Sequence, residues 1–138
     1  MITVDKVCTK WQEIYPHEMH DSQKLILYII STWFTLENTK WLLEIEKGKQ
    51  PLKLKIGLGI GAGHSTLLKV IYLTYPKIVL ACLINASIAK HLGFINYVTP
   101  KMLGYKYSIK NKIIITDCGA EYFKGISFDG ALAVIYLD

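Results

Sequence analysis

A ladder of alternating glycines lies between a strand pattern and a helix pattern, at residues 57–63, and His64, Ser65 and Thr66 follow it. Glycine lets the backbone turn sharply and approach a ligand closely. The start of a helix offers unpaired N–H groups and a partial positive charge to an anion. The segment therefore predicts a phosphate- or nucleotide-binding loop, and the plain alternative is turn geometry alone. The residues predicted to make the contacts are Gly59, Gly61, Gly63, His64, Ser65 and Thr66.

The elements around this loop alternate between short apolar strands and helices. Strands are predicted at 53–58, 77–83, 112–116 and 131–137, and helices at 64–74 and from Asn85 or Ser87 to Leu92. This alternation predicts an α/β fold with a parallel sheet of about four or more strands, in a three-layer P-loop-like or Rossmann-like arrangement. Ligands of such sheets bind at the carboxyl ends of the strands. The ladder, Asp117 and Asp138 all follow strands at that edge.

The N-terminal part, residues 1–50, is predicted to be mainly helical and to pack on the sheet. A helix begins at Asp21 or Ser22 and runs through Phe34, and a helical pattern continues over 37–47. Residues 1–20 give no clear pattern, and Pro16 breaks any early helix. Together with residues 51–138, which carry the glycine loop, this part is predicted to form one domain of 138 residues.

Composition limits the function classes. The chain is 51% hydrophobic and 20% charged, which indicates a folded protein. Its net charge of +5 comes from lysine, and the sequence has no arginine. A bidentate arginine clamp on a phosphate is therefore excluded. The lysines are scattered, which suits a solubilising surface better than a nucleic-acid footprint, but a nucleic acid or a protein stays a candidate partner.

The cysteines and the apolar runs bear on localisation. Cys8, Cys82 and Cys118 form no CxxC motif and predict reduced thiols in a cytoplasmic setting. The apolar runs are much shorter than a membrane span, and the first residues lack the apolar core of a signal peptide. We therefore expect a cytoplasmic protein with no membrane partner.

The strand, ladder and helix resemble the phosphate-binding loop of P-loop NTPases, in particular terminase-like ATPase domains and small phage proteins with a GxGxGH[ST] loop. Gly63-His64-Ser65-Thr66 stands where the usual loop has Gly-Lys followed by Ser or Thr, and the strand ending at Asp138 is similar to the magnesium-binding strand of that family. The resemblance covers residues 53–138. It implies ATP or another nucleotide with Mg²⁺, with Ser65 as a magnesium ligand and Asp138 as the holder of that ion's water. It also implies a viral source and a place in the host cytoplasm.

The departures from that family concern charge. His64 replaces the phosphate-binding lysine, arginine is absent, and no glutamate follows Asp138. A neutral imidazole offers one hydrogen bond and no fixed charge. Hydrolysis needs a charge clamp on the phosphates and an oriented water. We therefore expect nucleotide or phosphate binding with weak or no NTP hydrolysis.

The same ladder is similar to the first motif of S-adenosylmethionine-dependent methyltransferases, where a GxGxG turn lies against the cofactor. The segment 116–121 is similar to their acidic, adenine-contacting segment, although an apolar stretch, 81–83, replaces the expected ribose-binding acid. S-adenosylmethionine is therefore the alternative cofactor. A dinucleotide site is a further alternative, because 57–62 satisfies GxGxxA. A non-enzymatic interaction protein that kept the fold and lost the site is the last one.

Three other clusters carry weaker hypotheses. His17 and His20 are of metal-ligand type, in a segment expected to be a solvated loop. Cys118 follows Asp117 at a strand end and is a candidate nucleophile with no assignable base. Tyrosines and lysines alternate between residues 97 and 110, which suits either stacking of single-stranded bases or a partly packed surface loop.

Overall fold

The computed structural model describes residues 2–35, 51–57, 63–104 and 108–138. The helices are α1 (Val4–Ile14), α2 (Asp21–Thr35), α3 (His64–Thr74), α4 (Ala86–His91) and α5 (Pro100–Leu103), with a 3₁₀ turn at Ala120–Phe123. The strands are β1 (Leu52–Lys55), β2 (Val79–Cys82), β3 (Ile113–Thr116) and β4 (Ala133–Tyr136). The helix expected over 37–47 lies outside the described residues.

The four strands form one sheet in the order β1-β4-β3-β2, and every neighbouring pair is parallel. Ile115 of β3 pairs with Ala81 of β2 on one side and with Ile135 of β4 on the other. The expected α/β fold with a parallel sheet in a three-layer arrangement is therefore confirmed. The central strands are buried along their whole length, as expected for a parallel sheet that is covered on both faces.

One face of the sheet is covered by α1, α2 and α3. Fully buried side chains of α3, among them Leu67, Leu68 and Ile71, pack in one cluster with Ile113 and Ile135 of the sheet. Each such side chain stabilises the fold by about 1.5–3 kcal/mol through removal of apolar surface from water. The expectation that N-terminal helices pack on the sheet is confirmed for α1 and α2.

The other face is covered by α5, the 3₁₀ turn and loops. Phe123 and Phe128 pack there at 5.4 Å between ring centroids and join a cluster with Val134 and Tyr136. Lys55 of β1 lies 5.9 Å from the Tyr136 ring on this face. Leu52 and Leu54 of β1 face the helical side, so the strand alternates as an edge strand does.

The sequence predicted a mainly helical N-terminal part but no particular helix over residues 1–20, where α1 lies. It carries two buried side chains, Val7 and Trp11, four positions apart on one face. The helix ends at Ile14, and Tyr15 before Pro16 is extended, as the residue before a proline prefers. At its start, the Thr3 N–H donates to the hydroxyl of Tyr75 at the end of α3 (2.9 Å). The start of α1 therefore lies at the far end of α3.

Candidate phosphate-binding site

The predicted strand and helix are present on either side of the glycine ladder. β1 ends at Lys55 and α3 begins at His64. Gly59 and Gly61 lie outside the described residues. Gly63 is the N-cap of α3 and has a left-handed backbone (φ 72°) with no side-chain cap. This conformation is one that glycine adopts without strain.

The first turn of α3 carries three of the predicted contact residues: His64, Ser65 and Thr66. Within the described part of the chain, the first helical hydrogen bond after the cap runs from the Leu67 N–H to the Gly63 carbonyl (3.2 Å). The preceding N–H groups of the turn are those that a helix leaves without an intrahelical partner. They lie at the carboxyl edge of the sheet, because α3 follows β1 directly.

Gln23 of α2 holds the end of the ladder. Its Nε2 donates to the Gly63 carbonyl, and its Oε1 accepts from the His20 N–H, both at 2.9 Å. Gln23 is only 2% exposed. A Cβ on Gly63 would lie 2.5 Å from Gln23 Nε2, which is closer than real contacts allow. Gly63 is therefore required both by its backbone angle and by its neighbour. Gln23 has no motif signature, so sequence reasoning did not find it.

His64 provides an unsatisfied polar atom at this helix start. Its side chain is half-buried, and its Nδ1 is buried with no hydrogen-bond partner among the described residues. An unpaired buried polar atom destabilises a fold by about 1–3 kcal/mol. Such an atom next to N–H groups that have no intrahelical partner is what a site for a hydrogen-bonding ligand would present.

Asp117 is an acidic group that interacts electrostatically with His64. It directly follows β3, and its backbone N–H donates to the Cys82 carbonyl (3.3 Å). Burial raises the pKa of its carboxyl, while the hydrogen bond from the Cys118 thiol (3.3 Å), the nearby His64 and the Ile84 N–H oppose that rise. Asp117 was noted in the sequence as a strand-end acid but was not assigned to the site. Its position after a buried four-residue strand was the available signal.

Asp138 is the acidic residue that the sequence assigned to magnesium. It follows β4, the strand paired with β1, and is exposed. A Cβ on Gly57 would lie 3.8 Å from the Asp138 carbonyl carbon, so Asp138 flanks the start of the ladder. The structure thus places Asp138 at one end of the ladder and Ser65 at the other. Among the described residues, no three His, Cys, Asp or Glu side chains are grouped closely enough to hold a metal ion.

That result limits how Mg²⁺ could bind here. Mg²⁺ commonly uses one or two protein carboxylates and completes its shell with water and substrate phosphates. Asp117 and Asp138 follow the neighbouring strands β3 and β4, so their carboxylates lie at the same edge of the sheet. They do not fit a site made of protein ligands alone.

The structure argues against Cys118 as a nucleophile. Its side chain is 2% exposed. Burial is the main cause that raises its thiol pKa to about 12, and the negative charge of Asp117 adds to the rise. The reactive form of cysteine is the thiolate, so this thiol is inert near neutral pH. Burial also raises the pKa of the Cys82 thiol, which hydrogen-bonds to Thr116.

The other residues that the sequence singled out do not belong to the candidate site at the carboxyl edge of the sheet. His17 and His20 lie in the connection between α1 and α2, with ring centroids 6.5 Å apart, and belong to no metal cluster in the described ranges. Within the alternating tyrosine and lysine segment, residues 105–107 lie outside the described residues.

The observed strand order disfavours a dinucleotide site. In the dinucleotide-binding sheet β2 lies beside β1, whereas here β2 is at the opposite edge.

Comparison with family models, with curated proteins and with solved structures found no match to this chain. None of the helices in the described residues is long and apolar enough to cross a membrane.

Proposed function

We propose that this chain binds the phosphate groups of a nucleotide at the start of α3, with weak or no NTP hydrolysis. The observation that carries the proposal is the buried Nδ1 of His64, which has no hydrogen-bond partner among the described residues. It lies in the first turn of a helix that follows a glycine-rich segment. A phosphate oxygen could accept from the N–H groups of that turn and from an Nδ1–H of His64. The resemblance to small phage P-loop-like proteins extends the proposal to a viral source and to the host cytoplasm.

Asp117 makes the proposed binding depend on magnesium. A carboxylate coupled to His64 repels a phosphate unless a cation lies between the two or the carboxyl is protonated. Asp117 and Asp138 would be the residues that hold Mg²⁺, and its charge would offset that repulsion. Ser65, at the end of the ladder opposite Asp138, is also proposed to take part in holding the ion or its water.

Weak or absent hydrolysis follows from the same residues. The sequence has His64 at the position where P-loop NTPases have a lysine with a fixed charge, and it has no arginine. Stabilisation of the charge that develops on the transferred phosphoryl group would therefore depend mainly on Mg²⁺ and backbone N–H groups. We expect steady ATP turnover close to background.

The test is isothermal titration of ATP and inorganic tripolyphosphate, each with and without Mg²⁺, against the wild type and His64→Lys. The lysine places a fixed cation at the first turn and should tighten both ligands by roughly tenfold, the size of one charge-assisted hydrogen bond. His91→Lys is the matched control, because it adds the same charge at an exposed position at the end of α4. It should leave both affinities unchanged.

Three results would overturn the proposal. The first is no binding of either ligand by wild type or His64→Lys. The second is equal tightening by His91→Lys, which would indicate general attraction of anions to a basic chain. The third is ATP hydrolysis at several turnovers per second. Titration with S-adenosylmethionine belongs in the same series, since binding of that cofactor without binding of tripolyphosphate would favour the methyltransferase alternative.

A further inference from the structure

A cavity of about 400 Å³ lies at the corner between α1 and α2. Its size is within the usual range of small-molecule pockets, about 300–1,000 Å³. The side chains that matter for its chemistry are Trp11, Gln12, Tyr15, His17, Glu18 and Lys24. Among the described residues, neither Gly63 nor the strand-end acids line it.

Three aromatic rings form one wall of the cavity. The Trp11 and Tyr15 centroids are 4.7 Å apart, and the His17 ring lies 5.4 Å from that of Tyr15. The Trp11 indole N–H donates to the His17 carbonyl (2.8 Å), and Trp11 is 2% exposed. This bond fixes the segment after α1 against the helix, so the wall is held in place before any ligand arrives.

The charges of the cavity favour a neutral ligand over a cation. Glu18 is the acidic residue of the lining, and Lys24 Nζ lies 3.7 Å from its carboxylate. The two charges largely cancel, so no net field attracts an ammonium group to the rings. The exposed Gln12 amide offers a donor and an acceptor at the rim. An amide of this kind can pair with the N6 and N7 edge of adenine.

One side chain joins the cavity to the candidate phosphate site. Met19 lines the cavity, the next residue, His20, donates its N–H to Gln23, and Gln23 donates to the Gly63 carbonyl. The cavity wall and the first turn of α3 are therefore the two ends of a short hydrogen-bonded path.

We propose that this cavity binds the base of the nucleotide whose phosphates lie at the start of α3, with the base stacked on Tyr15. The proposal rests on the proposed function, because it places a second part of the same ligand. It assigns base recognition to the connection between α1 and α2.

The experiment is titration of three probes in the presence of Mg²⁺: ATP, adenosine and inorganic tripolyphosphate. Tyr15→Ala removes the stacking surface and should weaken ATP and adenosine by about 5- to 150-fold, the range for loss of one base–aromatic stack. The same variant should leave tripolyphosphate unchanged. Tyr122→Ala is the control, because Tyr122 is an exposed tyrosine in the 3₁₀ turn over the opposite face of the sheet.

The outcomes separate the two proposals. If tripolyphosphate binds and Tyr15→Ala leaves ATP unaffected, the base site is wrong and the phosphate site stands. If adenosine binds in a Tyr15-dependent way and tripolyphosphate does not bind, the phosphate site is wrong and the cavity stands as a nucleobase site. If neither adenosine nor tripolyphosphate binds, both proposals are overturned.

A second measurement covers the case in which Tyr15→Ala does not fold. Photo-crosslinking of the wild type with 8-azido-ATP should label the tryptic peptide 11–24, which contains the aromatic wall and is bounded by Lys10 and Lys24. Excess ATP should remove the label. Saturable labelling of any other peptide in place of 11–24 would overturn the proposal.

Discussion

The two faces of the sheet are covered by different kinds of structure. On one face, α1, α2 and α3 have 11, 15 and 11 residues, and the core cluster contains 24 buried residues among those described. On the other face, α5 and the 3₁₀ turn have 4 residues each, and the cluster contains 10. His64 belongs to the helical layer, whereas Asp117 begins the loop-covered layer. The candidate site therefore lies at the junction of the two layers.

This difference suggests a division of roles within the site. The groups that would bind an anion are fixed by a long helix and by the buried Gln23. The acidic group that would share a magnesium ion starts a segment held by short turns, such as the Ile126 N–H to Phe123 carbonyl bond (3.0 Å). We expect the anion-binding half to be rigid and the acidic half to adjust more readily.

The largest expected difference between the two faces is in how often their backbone opens locally. Amide hydrogen exchange should be slower, by on the order of 100-fold or more, for residues 67–74 of α3 than for residues 122–131 of the opposite face, because regions with few buried contacts open without global unfolding. Exchange followed by mass spectrometry of proteolytic fragments measures this. Equal protection of the two segments would show that the loop-covered face is as stable as the helical face.

The next largest effect is the loss of stability when one glycine from each layer is replaced by alanine. Gly63 (φ 72°) faces Gln23, whereas Gly125 (φ 76°) has nothing within 4 Å of the position of an added Cβ. Gly125→Ala should destabilise by about 1–2 kcal/mol through its left-handed backbone alone. Gly63→Ala should cost about 1 kcal/mol more, because Gln23 must also move. Urea unfolding of both variants measures the difference, and equal values would show that Gln23 moves without penalty.

The contact between Gly63 and Gln23 can then be tested by a double-mutant cycle. Gln23→Ala leaves the His20 N–H and the Gly63 carbonyl without this partner and should destabilise by about 1–3 kcal/mol. In the double variant with Gly63→Ala the steric conflict is absent. The combined loss should therefore be smaller than the sum of the single losses by about 1 kcal/mol. Strict additivity in urea unfolding would contradict the contact.

Much of the fold could be predicted from apolar runs. Ile113, Ile114 and Ile115 are buried on both faces, so a continuous apolar run was a sufficient signal for β3. The helix at 64–74 was predicted with its observed bounds, because the glycines before it and Pro76 after it limit it on both sides. The strands at 77–83 and 131–137 are shorter in the structure. Ile78, for example, donates its N–H to Tyr75 in a turn before β2 begins.

The site was less predictable than the fold. The glycine ladder indicated where a loop would meet a helix start, because that signal is local in sequence. Gln23 is separated from Gly63 by 40 positions, and a single glutamine carries no pattern that predicts such a contact. Which strand-end acids lie near the start of α3 depends on the order of the strands in the sheet, and hydrophobic periodicity does not determine that order. The Asp117 position became informative only once His64 was placed beside it.

The smallest expected effect compares the two strand-end acids. Burial raises the folded-state pKa of Asp117 above its unfolded value of about 3.9. The folded chain therefore binds a proton there more tightly than the unfolded chain does. Stability from this group is fully present below pH about 3.9 and is lost as the pH rises through the folded pKa. The carboxylate thus destabilises the fold at pH 7.

Asp117→Asn removes that penalty and keeps an acceptor for the Cys118 thiol. The variant should be more stable than the wild type at pH 7, by less than the effect of Gly63→Ala, and the gain should shrink toward zero as the pH falls below about 4. Asp138→Asn is the control: Asp138 is exposed, so its loss should change stability by less than about 0.5 kcal/mol at any pH. Thermal unfolding of the three proteins from pH 3.5 to 8 measures both. A loss of stability in Asp117→Asn that grows as the pH rises from 4 to 7 would mean that hydrogen bonds to the carboxylate outweigh its burial. The acid would then be held in place as a charged group, ready to share a cation without first losing a proton.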